Sequence, residues 1–330
     1  MSEKLLEVKN LKTYFYTDEG VVKSVDDVSF DVEKGKTLGI VGESGCGKSI
    51  TSLSIMQLVE TPPGKIVGGE IIYQGENLLE KNKDQMRKIR GGEIAMIFQE
   101  PMTSLNPVFT VGKQIMEALR LHTDLDKEKA KERAIEMLKL VKIPLPEKRF
   151  NEYPHQLSGG MRQRVMIAMA LSCEPKLLIA DEPTTALDVT IQEQILQLIR
   201  ELNEKLGMSV LFITHDMGAV ANLCHNVKVM YLGQVVEEAS TEELFQNPLH
   251  PYTQGLLSCI PHLGVKKGEP LPVIEGSVPP LSKVPVGCHF CTRCKMADQH
   301  CMEHEPPACE VAPGHVVKCW KYAESGKQEV

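Results

Sequence analysis

An eight-residue segment in the first fifty residues has the composition of a phosphate-binding loop. Residues 42–49 read GESGCGKS, which fits the pattern G-x-x-x-x-G-K-[ST] at every position. The glycines let backbone N–H groups turn toward phosphate oxygens, Lys48 supplies positive charge to the β and γ oxygens, and Ser49 offers a hydroxyl to Mg²⁺. The alternative is a chance glycine-rich turn. The residues predicted to contact the nucleotide here are Gly42, Glu43, Ser44, Gly45, Cys46, Gly47, Lys48, Ser49 and Ile50.

Two adjacent carboxylates end an apolar run further along the chain. Residues 177–180 read LLIA and lead directly into Asp181 and Glu182. In a phosphoryl-transfer site, Asp181 would hold Mg²⁺ and Glu182 would polarise an attacking water. The alternative is a pair of solvated acids at the end of a strand. A phosphate loop earlier in the same chain favours the first interpretation, which predicts nucleotide hydrolysis.

Six of the ten cysteines crowd the C-terminal stretch at the spacing C-x₂-C-x₂-C-x₆-C-x₇-C-x₉-C. Clustered thiols in a reducing compartment indicate a metal or cluster site more often than disulfides. The six offer more sulfurs than a four-ligand site needs, and free structural thiols are the alternative. A ferredoxin-like use of the first three is also open, although no C-x₃-C-P follows them. The six are Cys288, Cys291, Cys294, Cys301, Cys309 and Cys319.

The elements that must position these residues alternate between buried strands and amphipathic helices. Short apolar runs at residues 36–41, 176–180, 209–214 and 227–232 predict strands of a largely parallel sheet, so the fold class is α/β. Apolar residues recur at helical spacing within residues 128–141 and 191–202. After Gln246 the sequence becomes proline-rich and predicts a linker to a small cysteine-bearing module.

The composition is that of a globular protein with two units. The chain has 330 residues, of which 42% are hydrophobic and 25% charged, which excludes a disordered or fibrous protein. A net charge of −7 provides no broad basic face, so we expect no nucleic-acid partner. No apolar run is long enough to cross a bilayer and residues 1–10 lack the apolar core of a signal peptide, so a cytoplasmic location is expected.

Two further motifs give the chain a family resemblance. The tetrapeptide DEPT at residues 181–184 and the segment LSGGMRQR at residues 157–164 together resemble an ABC ATPase over about residues 5–260. The resemblance implies a P-loop NTPase (RecA-like) core with a mostly parallel sheet, an antiparallel β element and a helical subdomain inserted at about residues 100–170. It divides the chain into a nucleotide-binding domain at residues 1–255 and a C-terminal extension at residues 256–330.

The same resemblance implies a role for several further residues. It identifies Gln99 as the Q-loop glutamine and a Mg²⁺ ligand, coupling the nucleotide to membrane partners through residues 100–107. It makes His215 the switch histidine that contacts the γ-phosphate, and Phe15 the aromatic that stacks on adenine, beside Tyr14 and Tyr16. The remaining residues would meet the ATP held by an opposing subunit, so that hydrolysis needs two chains head to tail: Ser158, Gly159, Gly160 and Asp188. Met161 departs from the family pattern, which has glutamine there.

Other segments narrow the resemblance to the dipeptide, oligopeptide and nickel permease ATPases. These are MIFQEPMTSLNP at residues 96–107, NPLHPYTQGLLSCIP at residues 247–261, and the cysteine-bearing C-terminal stretch. The expected function is ATP hydrolysis that powers import of dipeptides or oligopeptides; nickel import and a soluble ABC ATPase with a cysteine-rich regulatory module are the alternatives.

Membership of this subfamily implies several partners and a second cofactor. The partners are a related but different second ATPase chain, two transmembrane permease subunits and, indirectly, an extracytoplasmic peptide-binding protein, with the chain on the cytoplasmic face of the membrane. The second cofactor is a 4Fe-4S cluster, with zinc as runner-up, and its implied ligands are Cys288, Cys294, Cys301 and Cys319.

Overall fold

The computed structural model describes residues 3–99, 104–185, 187–260 and 272–323. The strands are β1 Lys4–Thr17, β2 Gly20–Glu33, β3 Thr37–Val41, β4 Gly64–Tyr73, β5 Glu76–Asn77, β6 Ile94–Ile97, β7 Leu177–Asp181, β8 Ser209–Thr214, β9 Asn226–Tyr231, β10 Gln234–Ser240, β11 Ala308–Ala312 and β12 His315–Lys318. The α-helices are α1 Lys48–Ile55, α2 Lys83–Ile89, α3 Val111–His122, α4 Lys127–Leu140, α5 Pro146–Arg149, α6 Gly159–Leu171, α7 Val189–Leu206, α8 Met217–Leu223, α9 Thr241–Gln246, α10 Pro251–Ser258, α11 Gln299–Glu303 and α12 Trp320–Ala323. None of these helices combines the length and apolar character that crossing a bilayer requires.

The chain forms two compact units. The first contains residues 3–5, 32–36 and the described residues from 80 to 212, and the second contains residues 6–31, 37–79 and the described residues from 213 onward. The phosphate loop and the cysteine-rich stretch therefore belong to the second unit. The paired carboxylates and the LSGGMRQR segment belong to the first.

The second unit contains two arrangements of strands. An antiparallel sheet has the order β2-β1-β4-β5, and in it Leu6 pairs with Tyr73. Separately, β3 pairs in parallel with β9, and β10, β12 and β11 follow in antiparallel order. The first sheet is the antiparallel β element expected from the resemblance. The C-terminal strands β11 and β12 extend the second one.

The first unit combines parallel strands with a set of helices. Strand β6 pairs in parallel with β7, and every residue of β7 is buried. Helix α4 buries Ala130, Ala134, Met137 and Leu138, so the helical spacing seen in the sequence is confirmed. Helices α3, α4 and α6 pack on one another and lie within or beside the region expected to hold the helical subdomain.

The proline-rich stretch is more regular than predicted. Part of the expected linker is helix α10, which starts with Pro251 at its first position, where proline has no N–H to lose. The His250 side chain caps this helix, because its Nδ1 accepts a hydrogen bond of 3.0 Å from the Tyr252 N–H. The prediction of a linker was therefore wrong for residues 251–258.

A buried carboxylate fastens the C-terminal segment within the second unit. Glu237 on β10 is 1% exposed and accepts hydrogen bonds from the backbone N–H groups of Leu249 (2.7 Å) and His250 (2.9 Å). His315 on β12 donates from Nε2 to the same carboxylate at 2.8 Å. Because unpaired charge is costly inside a protein, this set of bonds holds α10 and β12 against β10.

Candidate nucleotide-binding site

The phosphate loop runs from the buried strand β3 into helix α1, and two of its glycines have no room for a side chain. A Cβ on Gly42 would lie 2.2 Å from the Met230 carbonyl oxygen, and one on Gly47 would lie 2.1 Å from that of Ser24. Gly47 also has a φ of 99°, in the left-handed region that favours glycine. The glycines thus allow a close turn that exposes backbone N–H groups, as binding of a phosphate requires.

Lys48 lies inside the loop rather than in solvent. Its side chain is buried, and its ammonium donates to the carbonyl oxygens of Gly42 (2.8 Å) and Glu43 (3.0 Å). Burial raises the pKa of the Cys46 thiol, so this neighbour stays neutral beside the lysine. A cationic ammonium within a glycine-lined cradle at a helix N-terminus is a donor set that fits polyphosphate.

Groups from distant parts of the second unit support the loop. The Gly233 N–H donates to the Cys46 carbonyl at 3.0 Å, and the Glu43 N–H donates to the Tyr252 hydroxyl at 2.8 Å. The guanidinium of Arg293 contacts the Glu43 carboxylate with two nitrogens, at 2.6 and 3.1 Å. Sequence reasoning missed Tyr252 and Arg293, because nothing in their spacing indicates a partner about 200 residues away.

In the first unit, the two carboxylates are both buried at the end of β7. Asp181 is 3% exposed and Glu182 is 7% exposed, with Glu182 at a φ of 45°. The Glu182 carboxylate accepts a hydrogen bond of 2.9 Å from Gln99 Nε2 and one of 3.1 Å from the Thr185 hydroxyl. The structure thus brings together the predicted base and Q-loop glutamine, and it adds Thr185, which the motif did not indicate.

The first unit also joins the starts of two helices. Ser158 caps α6 by accepting from the Met161 N–H at 3.3 Å, and Asp188 caps α7 by accepting from the Ile191 N–H at 3.0 Å. A Cβ on Gly160 would lie 2.8 Å from Ile191 Cγ2. Gly159 has more space, with Leu187 as its nearest neighbour at 3.8 Å. The small residues of the LSGGMRQR segment therefore let α6 begin against the first turn of α7.

The other predicted residues of the second unit lie at its surface or on its strands. His215 is exposed and follows β8 directly, ahead of α8, whose cap is Asp216. Phe15 on β1 is half-buried and pairs with Gly64, whereas the hydroxyl of Tyr14 donates to Asp26 at 2.6 Å. Ser44 and Gly45 are exposed, and Ser49 and Ile50 are half-buried. Of the predicted coupling segment, residues 100–103 lie outside the described residues.

Five of the C-terminal cysteines line one cavity of about 250 Å³. Burial and the neighbouring thiols raise the pKa of Cys288 to about 12. Cys309 lies outside the lining, and its thiol faces the Pro307 carbonyl. Within the described residues, no three His, Cys, Asp or Glu side chains are grouped as one bound metal ion requires. The cysteines of the lining are Cys288, Cys291, Cys294, Cys301 and Cys319.

Known protein families and individual relatives match most of the chain. Residues 25–185 match the family model "ABC transporter", and residues 236–301 match "Oligopeptide/dipeptide transporter, C-terminal region". A probable peptide ABC transporter ATP-binding protein of Sinorhizobium fredii is 54% identical over 98% of this chain and 96% of its own length. An oligopeptide transport ATP-binding protein of Bacillus subtilis is 53% identical over 96% of this chain and 88% of its own.

A solved structure supports the fold. The dimeric post-hydrolysis form of an ATP-binding cassette with ADP and Pi has a TM-score of 0.64 and 30% identity, covering 72% of this chain and 98% of that one. This similarity confirms the α/β fold class and the cassette core predicted from the sequence.

Proposed function

Since this chain belongs to the ATP-binding proteins of ABC transporters, we propose that it is the ATP-hydrolysing subunit that powers uptake of dipeptides or oligopeptides. The match to the oligopeptide/dipeptide transporter C-terminal region carries the substrate class, because it covers residues 236–301, beyond residues 25–185 that match the general ABC transporter model. The peptide-transport names of the relatives favour this function over nickel import and over a soluble ABC ATPase. A cassette at residues 1–255 with an extension at residues 256–330 is part of the proposal.

ATP binding is assigned to the phosphate loop. Its backbone N–H groups and Lys48 would hold the β- and γ-phosphates, Ile50 would flank them, and the half-buried ring of Phe15 would stack on adenine. Bound Mg²⁺ would neutralise charge on the phosphates, and Ser49, Gln99 and Asp181 are its proposed ligands.

Hydrolysis is assigned to Glu182 as general base. A buried carboxylate oriented by Gln99 and Thr185 is suited to take a proton from an attacking water. His215 would contact the γ-phosphate, because an imidazole N–H can donate to a phosphate oxygen, and would help to hold the attacking water.

The test of this assignment is the Glu182→Gln variant. The amide keeps the size of the side chain but removes the proton acceptor, so ATP turnover should fall more than about 100-fold while ATP binding is retained. Glu132→Gln, at an exposed position on α4, is the matched control and should behave as wild type. Unchanged turnover in Glu182→Gln would show that Glu182 is not the base.

The working form has a dimeric ATPase and permease partners, as peptide importers of this family do. We propose that the second ATPase is a related but different chain, opposed head to tail, with two permease subunits beside the pair. Ser158, Gly159, Gly160 and Asp188 would then meet the ATP held by that second chain. The peripheral position on the cytoplasmic face, and the indirect partnership with an extracytoplasmic peptide-binding protein, follow from the same proposal.

Uptake assays test the substrate class. Cells lacking this chain should lose uptake of labelled dipeptides or oligopeptides and keep uptake of nickel ions, and a plasmid copy with intact Lys48 should restore the peptide uptake. A plasmid copy carrying Lys48→Ala should fail. Loss of nickel uptake with normal peptide uptake would assign the chain to nickel import instead.

A 4Fe-4S cluster in the C-terminal cavity is part of the proposal. Its ligands would be Cys288, Cys294, Cys301 and Cys319, all of which line the cavity. Each thiolate would bind a different iron, so these four residues would not need to be grouped as the ligands of a single zinc ion are. When bound, the cluster would cross-link the four cysteines and so stabilise a segment with few apolar residues.

Metal analysis of anaerobically purified chain tests the cluster. About four irons per chain with matching sulfide should be present, and Ser substitution of any of the four ligands should remove them. Cys309→Ser, outside the cavity, is the control and should retain the iron. Cys291→Ser should also retain it, although this thiol lines the cavity. One zinc and no iron per chain would show that the cysteines hold a zinc ion instead of the cluster.

A further inference from the structure

Arg293 links the cysteine-rich segment to the phosphate loop. It lies between Cys291 and Cys294, and its side chain is 3% exposed. Two guanidinium nitrogens meet two oxygens of Glu43: Nη1 to Oε2 at 2.6 Å and Nη2 to Oε1 at 3.1 Å. This is the parallel, bidentate geometry in which an arginine fixes both the position and the plane of a carboxylate.

The guanidinium is itself held in place by three further acceptors. Its Nε donates to the Glu275 carbonyl at 3.1 Å, and its Nη2 donates to the Ile274 carbonyl at 3.3 Å. Its Nη1 lies 3.4 Å from the Tyr231 hydroxyl. Arg293 is therefore a fixed point, because movement of its head group would break bonds in several directions at once.

Glu43 passes this restraint into the loop. Its carboxylate meets Arg293, its N–H donates to the Tyr252 hydroxyl at 2.8 Å, and its carbonyl accepts from Lys48 Nζ at 3.0 Å. The residue with its side chain tied to the C-terminal segment is thus also a backbone partner of the lysine proposed to bind phosphate. A shift of Glu43 would move the carbonyl oxygen that accepts a hydrogen bond from Lys48.

We propose that Arg293 is a positioning residue for ATP: through Glu43 it holds the phosphate loop and Lys48 in the geometry that binds the triphosphate. The inference rests on the proposed function, in which the loop binds ATP, and adds that the C-terminal segment contributes to nucleotide affinity. Arg293 does not itself contact the nucleotide. Its removal should therefore weaken ATP binding and leave the saturated rate of hydrolysis close to that of wild type.

The test is the equilibrium dissociation constant of MgATP, measured by calorimetry on the purified full chain in a Glu182→Gln background. Arg293→Met should raise this constant about tenfold, which corresponds to about 1.4 kcal/mol, because the loop keeps its glycine-determined shape and loses only the restraint on Glu43. Arg293→Lys keeps the charge but loses the fork, and should lie between Met and wild type. Lys295→Met is the control: it breaks the exposed Lys295–Glu275 pair two residues away and should leave affinity unchanged.

A double-mutant cycle separates positioning from a structural role. Glu43→Gln should weaken MgATP binding, and Arg293→Met combined with it should be no weaker than the worse single variant. Melting temperature and iron content report whether each variant is folded. Should Arg293→Met fail to fold, Glu43→Gln, at a position where the side chain is 29% exposed, still gives the measurement.

Two outcomes overturn the inference. One is a lowered melting temperature with unchanged affinity for MgATP in both single variants, which would make the pair a fastening only. The other is a double variant whose MgATP dissociation constant rises by the product of the two single-variant factors. That result would show that Arg293 and Glu43 act independently. Failure of the proposed function has a different signature, because MgATP would then bind neither the reference chain nor any variant, or would bind equally after Lys48→Ala.

Discussion

The phosphate loop and the cysteine-rich segment are both ligand sites in this proposal, but they are built in opposite ways. The loop would bind through backbone N–H groups and one lysine, and its shape comes from a buried strand and from glycines without space for a Cβ. The cysteine segment would bind through side-chain thiols on short elements. Within residues 272–323, the part of this segment that the structure describes, the buried apolar side chains are those of Phe290, Cys291, Pro306 and Val317.

The difference shows where each site gets its stability. A backbone site is as stable as the strand and helix that flank it, and it tolerates many side-chain changes but no Cβ at Gly42 or Gly47. A side-chain site on a segment with so small a core depends on what fastens that segment, which here is Glu237 with His315, Arg293 with Glu43, and the packing of Phe290 on Tyr231 and Tyr252.

The largest effect expected from this comparison is that of Gly47→Ala. The added methyl would lie 2.1 Å from the Ser24 carbonyl oxygen at a φ of 99°, so the loop cannot keep its shape. MgATP binding should weaken by more than about 100-fold, because the distorted loop would lose at least two hydrogen bonds to phosphate, each worth about 1.5–3 kcal/mol. Calorimetric titration of the purified chain measures it, and iron content should not change.

Gly45→Ala is the graded control for that variant. Gly45 has a φ of 81°, but a Cβ there has nothing within 4 Å. The cost is then only that of a left-handed residue, about 1–2 kcal/mol, which weakens binding about tenfold. Equal losses in the two variants would contradict the view that steric contact with Ser24 shapes the loop.

The second effect tests the fastening of the C-terminal segment. Glu237→Gln puts an amide among two backbone N–H donors and the His315 ring, so at least one of these donors loses its acceptor. Breaking a buried ionic hydrogen-bond set should cost about 3 kcal/mol of unfolding free energy. Urea denaturation followed by fluorescence of the single tryptophan, Trp320, reports on the affected segment.

The exposed Glu242→Gln on α9 is its control and should change the unfolding free energy by less than about 0.5 kcal/mol. A Glu237→Gln chain as stable as this control would mean that the segment is held mainly by its aromatic contacts. The next residue to substitute would then be Phe290, whose ring centroid lies 5.2 Å from that of Tyr231.

The same contrast explains how much of the structure could be predicted. The strand, loop and helix around Lys48 were predicted because glycine, lysine and apolar runs act on their immediate neighbours. The bond from Gln99 to Glu182 was not, because it joins residues 83 positions apart. The Arg293–Glu43 pair spans 250 positions and has no local signature at all.

The C-terminal segment was the least predictable part for the same reason. The prolines of residues 247–261 indicated turns, yet Pro251 begins a helix. His250 accepts from the Tyr252 N–H in the first turn, and Glu237 accepts from the His250 N–H just before it. Those acceptors come from the folded second unit. Six cysteines in the sequence indicated a shared site, and five of them do line one cavity, but which four would act as ligands follows only from the resemblance.

The smallest expected effect is a dependence of the unfolding free energy on pH. It concerns His250, which packs on the cysteine-rich segment. This ring is buried against Phe290 at a centroid distance of 5.7 Å, and burial lowers its pKa to about 3. The unfolded chain takes up the proton near the ordinary pKa of about 6.5, so stability is full above that value and is lost as the pH falls toward the folded pKa. From about pH 7 to about pH 5 the loss should be about 2 kcal/mol.

His250→Asn tests this dependence, because asparagine can still cap α10 for the Tyr252 N–H but does not titrate. Urea denaturation at both pH values should show a loss about 2 kcal/mol smaller in His250→Asn than in wild type. His155→Asn, whose ring is exposed, should follow wild type. Equal losses of unfolding free energy in all three proteins would show that the acid sensitivity comes from other groups. Protonation of His250 on unfolding would then not be its cause.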